Sequence, residues 1–187
     1  KATMTRLATY MGTKIGGGLE FIATADASGS SALSFTGFDA SKYDSYEFTL
    51  ANILPATDNV FLTARVSIDS GSNYLAASDS YSIAAVAGIS TGDHTAIISK
   101  YGTLGNAAAD AGYSGTCFIF GPQLNVPTYV QFMGVGSLPS GLIDINSVAA
   151  AGSGKTKAAT VVDAVQFLMS SGNIASGTIT MYGKVNA

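Results

Sequence analysis

Strict alternation of apolar and polar residues limits this chain to β-structure over most of its length. In Thr178–Val185, Ile179, Met181 and Val185 fall on one side, and Thr178, Thr180, Tyr182 and Lys184 on the other. The same period of two runs through Tyr46, Phe48 and Leu50, which alternate with Ser45, Glu47 and Thr49. It runs again through Val60–Ile68, where Val60, Leu62, Ala64, Val66 and Ile68 are expected to face inward. Side chains of a strand point to opposite faces in turn, so this pattern marks strands with one buried face.

Further runs lie between clusters of Gly, Ser, Asn, Asp and Pro, the residues that suit turns. They are Leu19–Thr24, Ala32–Thr36, Ser80–Ala87, Thr95–Ser99, Thr116–Gly121, Tyr129–Val135 and Leu142–Ile145. Asp26–Ser31, Asp39–Asp44, Asn52–Asn59, Gly88–Asp93, Gly102–Gly115 and Ala149–Lys157 are expected to be loops. About ten short strands at intervals of roughly 8–15 residues predict an all-β, antiparallel β-sandwich of jelly-roll type. No amphipathic helix of the length a βαβ unit needs lies between them, which argues against a parallel sheet.

Thr160–Val185 is expected to be a closing hairpin, two strands joined by Ser170–Gly177. Its first strand, Val161–Met169, is apolar on both faces, with Val161, Val165, Phe167 and Met169 on one and Val162, Ala164 and Leu168 on the other. A strand with one wet face would not have that composition. One face is therefore expected to meet the core, and the other a neighbouring subunit or a covering segment.

The only helical spacing is at the start. Met4, Ala8, Met11 and Ile15, with Leu7 beside them, would form an apolar stripe on a short helix or arm ended by Gly16–Gly18. Residues 1–18 then divide from a β-sandwich domain at 19–187. The stripe fits an arm lying on its own domain, or the end of a coiled coil joining several copies. Met4, Leu7, Met11, Ile15, Val162, Ala164 and Leu168 are the expected oligomer contacts. Lys1–Gly18 lacks the apolar core of a signal peptide, and a start at Lys1 without an initiator Met suits a processed product or a piece of a longer protein.

Charged residues are only 11% of the chain, well below the roughly 25% of an average soluble domain. With a mean hydropathy of +0.33, such a surface suggests burial against other subunits. A net charge of −3 without a basic run argues against nucleic acid as a partner. Pro122, Pro127, Pro139 and many glycines break the longest uncharged stretch, Ala111–Ile143, so no segment is expected to enter a membrane.

Sites of chemistry are scarce. Gly152-Ser153-Gly154-Lys155-Thr156 resembles the end of a phosphate-binding loop, but Ala149 stands where its first glycine is required and a strand-like run follows. His94 is the only histidine, with Asp93 too close in sequence to orient it for nucleophilic catalysis. One histidine and one cysteine, Cys117, exclude an ordinary zinc site, and Cys117 sits in an apolar run that suits a buried small hydrophobe. Glu20 and Glu47 are outward strand positions rather than a facing acid–base pair. Asp69–Asn73 offers oxygens to calcium but lacks a third carboxylate. No cofactor is expected. Nine Tyr and nine Phe leave room for exposed rings, with Tyr43, Tyr46, Tyr74, Tyr81, Tyr101 and Tyr113 as candidates for stacking on a sugar.

Two stretches resemble a family of bacteriophage virion proteins. Phe21–Tyr74 is similar to a jelly-roll module of phage particles, with a tyrosine-containing strand (Tyr43–Leu50), an N-x-x-P-A-T-D turn (Asn52–Asp58) and an L-x-x-R-x-S strand (Leu62–Ser67). Ser170–Val185 resembles the module's closing strand at Gly172, Gly177, Thr178, Ile179, Tyr182 and Gly183. Together they cover under half of the chain, and Ala76–Ala159 matches less well. The resemblance implies a non-enzymatic structural protein on the virion surface, in capsid decoration, fibre assembly or host attachment. It further implies a homo-oligomer, a trimer, contacting other virion proteins and, at a receptor-binding tip, a host surface glycan. The competing expectations are a lectin-like carbohydrate-binding β-sandwich module and a glycan depolymerase. The lectin would place solvent-facing aromatics beside an Asp/Asn cluster, and the depolymerase two facing carboxylates in a cleft.

Overall fold

The computed structural model describes residues 18–77, 79–85, 88–93, 96–97, 103–107, 112–137, 152–156 and 158–185. They form twelve strands and two sheets, all antiparallel. The strands are β1 (Leu19–Ser30), β2 (Leu33–Phe35), β3 (Tyr43–Pro55), β4 (Leu62–Ser67), β5 (Tyr81–Ala85) and β6 (Gly88–Asp93). After them come β7 (Ala96–Ile97), β8 (Tyr113–Phe120), β9 (Tyr129–Gly136), β10 (Gly152–Thr156), β11 (Ala164–Met169) and β12 (Ile174–Val185). The larger sheet runs β1-β12-β3-β8-β9-β10-β5-β6 and the smaller β2-β11-β4-β7.

Setting aside β5, β6, β9 and β10 exposes the plan. The remaining strands pair from the outside of the chain inward: β1 with β12, β2 with β11, β3 with β8 and β4 with β7. Two further pairings, β12 with β3 and β11 with β4, close the sheets. A long folded-over ribbon wound in this way is a jelly roll, a sandwich of two Greek keys. The four extra strands come from the β4–β7 and β8–β11 connections and widen only the larger sheet.

The core lies between the sheets and follows the alternation. From the larger sheet come Tyr46, Phe48, Leu50, Cys117, Ile119, Phe132, Ile179 and Met181, all buried. From the smaller come Leu33, Phe35, Leu62, Ala64, Val66, Val165, Phe167 and Met169. The sheets meet at an aromatic cluster. Phe48 of β3 is 5.4 Å from Phe35 of β2 and 5.2 Å from Phe167 of β11, all three edge-on or tilted, an arrangement aromatic rings prefer to flat stacking.

Several expectations are corrected. Thr160–Val185 is not a hairpin: β11 and β12 belong to different sheets, and Ser170–Asn173 carries the chain across the sandwich. Ser170 and Asn173 anchor that crossing. Phe61 N–H donates to Ser170 Oγ at 3.0 Å, and Asn173 Nδ2 donates to the Gly29 carbonyl at 2.7 Å. Asp26–Ser30 continues β1 rather than forming a loop. Asn52–Pro55 continues β3 past a bulge at Asn52, whose φ is +52°. Gly88–Asp93 is a strand paired with β5, and Tyr113–Gly115 opens β8. Ile68 lies beyond the end of β4 and is exposed.

Thr63 and Ser67 alternate with the inward residues of β4 yet are buried, Thr63 beside β11 and Ser67 under the Asp69–Gly71 turn. Thr63 Oγ1 donates to the Leu168 carbonyl at 3.0 Å, and Ser67 Oγ accepts from Gly71 N–H at 2.9 Å. Nearby, the Tyr81 hydroxyl accepts from Val66 N–H at 2.9 Å and donates to the Leu75 carbonyl at 3.0 Å, holding β5 to β4. Burial pushes that hydroxyl's pKa up to about 12. Tyr81→Phe is expected to leave two backbone groups without their partner. We expect a loss of about 1–3 kcal/mol, seen as a lower urea midpoint at unchanged slope.

Candidate binding face on the larger sheet

The outward face of the larger sheet is where the chain exposes its rings. Pairing registers place outward residues in rows that run across strands. One row reads Leu19, Lys184, Ser45, Phe120, Tyr129 and Lys155, from β1 to β10. The next reads Phe21, Tyr182, Glu47, Phe118 and Gln131. Beyond it lie Thr24, Thr180, Thr49, Thr116 and Met133. The β-bulge between Phe21 and Ala23 lets both Phe21 and Thr24 face out from β1.

Phe21 is 61% exposed, Tyr129 55% and Phe120 42%. Phe21 meets Tyr182 edge-on at 6.2 Å, while Phe118 and Phe120 lie nearly parallel, 5.9 Å apart at 15°. Between the first two rows is a groove of about 340 Å³ lined by Leu19, Ser45, Tyr46, Glu47, Phe118, Phe120, Gln131 and Lys184. That is near the lower end of the roughly 300–1,000 Å³ of small-ligand sites. The threonine row is self-satisfied at one end, where the Thr24 and Thr180 hydroxyls are 2.6 Å apart. Thr178 Oγ1 donates to Asp26 Oδ1 at 2.6 Å.

The residues singled out from sequence fall elsewhere. Met4, Leu7, Met11 and Ile15 lie outside the described residues, as do His94, Tyr101 and the run Leu142–Ile145. Val162 and Ala164 are buried by the chain's own segments. Val162 N–H donates to the Pro122 carbonyl at 2.7 Å, and Ala164 lies under the Asp69–Gly71 turn. Of the expected interface set on this strand, Leu168 alone keeps some surface. The covering segment over this face of the strand is thus the chain itself.

Gly152–Thr156 is a correction: it forms β10, paired on both sides, so its amides serve the sheet. Thr156 is buried and its Oγ1 accepts from Thr128 N–H at 3.0 Å. Glu20 pairs with Lys42 at 2.6 Å and shares its row with Gly183, Tyr46 and Ile119, the inward set, so it lies on the opposite face of the sheet from Glu47. Asp69 has its oxygens turned into its own turn, accepting from Ser67 Oγ and from Asn73 N–H and Nδ2, each at 2.8 Å. These bonds, those from Asn73 first, hold its carboxyl below the usual carboxylate range. Among the described residues no group of three or more His, Cys, Asp or Glu is placed to hold a metal ion. Cys117 is fully buried, and desolvation pushes its thiol up to about 12.

Of the tyrosines named as stacking candidates, Tyr43, Tyr46, Tyr81 and Tyr113 are buried and Tyr74 is half-buried. Among the described residues the exposed rings are Phe21, Phe120 and Tyr129 instead. In Thr116–Phe120 both faces are apolar, so alternation alone did not separate inward Cys117 and Ile119 from outward Phe118 and Phe120. No helix among the described residues is long and apolar enough to cross a membrane. Comparisons with protein-family models, with curated proteins and with solved structures found no match to the chain.

Proposed function

We propose that this chain is a non-enzymatic structural protein of a bacteriophage particle, set on the virion surface in capsid decoration, fibre assembly or host attachment. It would act as a homotrimer in contact with other virion proteins. One observation carries the proposal: three of the residues that bear the phage resemblance sit where β3 and β12 join to close the jelly roll. Asn52 forms the bulge of β3, Gly177 of β12 lies against it, and Gly183 of β12 accommodates the Tyr43 ring. A fold alone does not carry a function, and it is the coincidence of these residues with the winding that supports the proposal. The low charge and positive mean hydropathy suit a protein whose surface is shared with neighbours.

The test is immunogold labelling of purified particles of the phage that encodes the chain, together with light scattering of the purified protein. Label on the particle exterior and a trimer in solution are the expected results. Unlabelled particles and a strict monomer at high concentration would overturn the proposal.

A further inference from the structure

We propose that the groove on the outward face of the larger sheet binds a carbohydrate, with one pyranose ring lying against the Phe118–Phe120 pair. Two features point to this ligand class. The floor is aromatic: Phe118 and Phe120 stack on one another, 5.9 Å apart at 15°, and Phe120 is 42% exposed, so the pair presents apolar ring surface, chiefly that of Phe120, as a platform. Around that platform stand Ser45, Glu47, Gln131 and Lys184, whose side chains have no hydrogen-bond or ion-pair partner among the described residues.

A sugar ring matches both features. Its C–H face packs on an aromatic ring, and its edge carries hydroxyls that each donate and accept. The Glu47 carboxylate accepts, the Lys184 ammonium donates, and the Gln131 amide and Ser45 hydroxyl do both. Glu47 and Gln131 are two strands apart in one row, about 10 Å at the usual strand spacing. One pyranose ring with its hydroxyls spans that distance.

A second copy of the chain fits less well. The centre of a protein interface is depleted of charged residues, and a dry interface would strand Glu47 and Lys184 at a cost. The opposite charges of those two residues also favour a neutral sugar over an acidic one.

The sugar proposal does not depend on particle membership, so failed immunogold labelling and failed sugar binding are separate results. The test is saturation-transfer NMR and calorimetry on the whole chain, with a neutral hexose, an N-acetylhexosamine and a uronic acid as probes. Saturation transfer to ring C–H protons of a neutral sugar is expected. Phe120→Ala is expected to weaken binding about tenfold, as is Gln131→Ala. Both residues are exposed, so circular dichroism should be unchanged. Absence of binding across the three probes would overturn the proposal. So would equal binding by wild type and both variants, or a Phe120→Ala change in oligomeric state without sugar binding, which would assign the face to a second copy.

Discussion

Gly177→Val should be among the most destabilising substitutions on the surface of β12. Gly177 has φ +122°, a backbone conformation that L side chains rarely adopt, and it lies in β12 against the bulge of β3. A Cβ there would stand 2.6 Å from the Asn52 carbonyl oxygen and 2.8 Å from the Ile53 Cα. Both obstacles are backbone, so no side chain can swing away. The backbone strain costs about 1–3 kcal/mol and the overpacking about 1–3 kcal/mol more. Against a total stability of about 5–15 kcal/mol, a loss of about 2–6 kcal/mol is a large fraction of the whole. Urea titration followed by circular dichroism measures the loss, and a midpoint equal to wild type would show that the bulge relaxes freely. Asn52→Gly is the informative companion, because it keeps the positive φ at the bulge without a side chain and is expected to leave the midpoint close to that of wild type.

Phe48→Ala is expected to be the most costly single truncation in the core. Its ring is fully buried and touches Phe35 and Phe167, so it bridges β3 of one sheet to β2 and β11 of the other. Phe-to-Ala changes at such sites cost about 3–5 kcal/mol. For a chain of this size that corresponds to a fall in Tm of about 6–20 °C. The paired measurement is Phe120→Ala, whose ring is outward and 42% exposed, and which should move Tm little. Similar losses from the two would mean that the outward face is as important to the fold as the core.

Much of the fold was legible in the sequence, and the failures have a common cause. Alternation gave the inward faces of β3 and β12, because each of those strands has one covered and one open side, whereas β4 is buried at Thr63 and Ser67 as well as at Leu62, Ala64 and Val66. It could not say which strands pair. Val161–Met169 and Thr178–Val185 read as neighbours through a short polar loop, and the chain uses that loop to change sheets. A crossing and a hairpin both need a short run of turn residues, so Ser170–Asn173 looks the same in either. A bulge hid the true end of β3, since a bulge needs the same Asn and Gly that mark a turn, and the turn-forming residues Asp26–Ser30 hid that of β1 although they pair with β12 in regular register. The outward rings were missed for a related reason. Where both faces are apolar, as in Thr116–Phe120, the period of two is silent, and only the register of β8 with β3 and β9 shows which rings face outward.

The nested pairing also dictates when this chain can become a protein. Because β1 waits for β12 and β2 for β11, these two strands have no lasting partner until β11 and β12 are made. Leu19 and Phe21, which end up beside Lys184 and Tyr182, spend that interval as an open apolar edge. Loop closures of this length are entropically costly and slow, so the sandwich forms only after β12 has been made. During that delay the chain is most exposed to pairing with copies of itself.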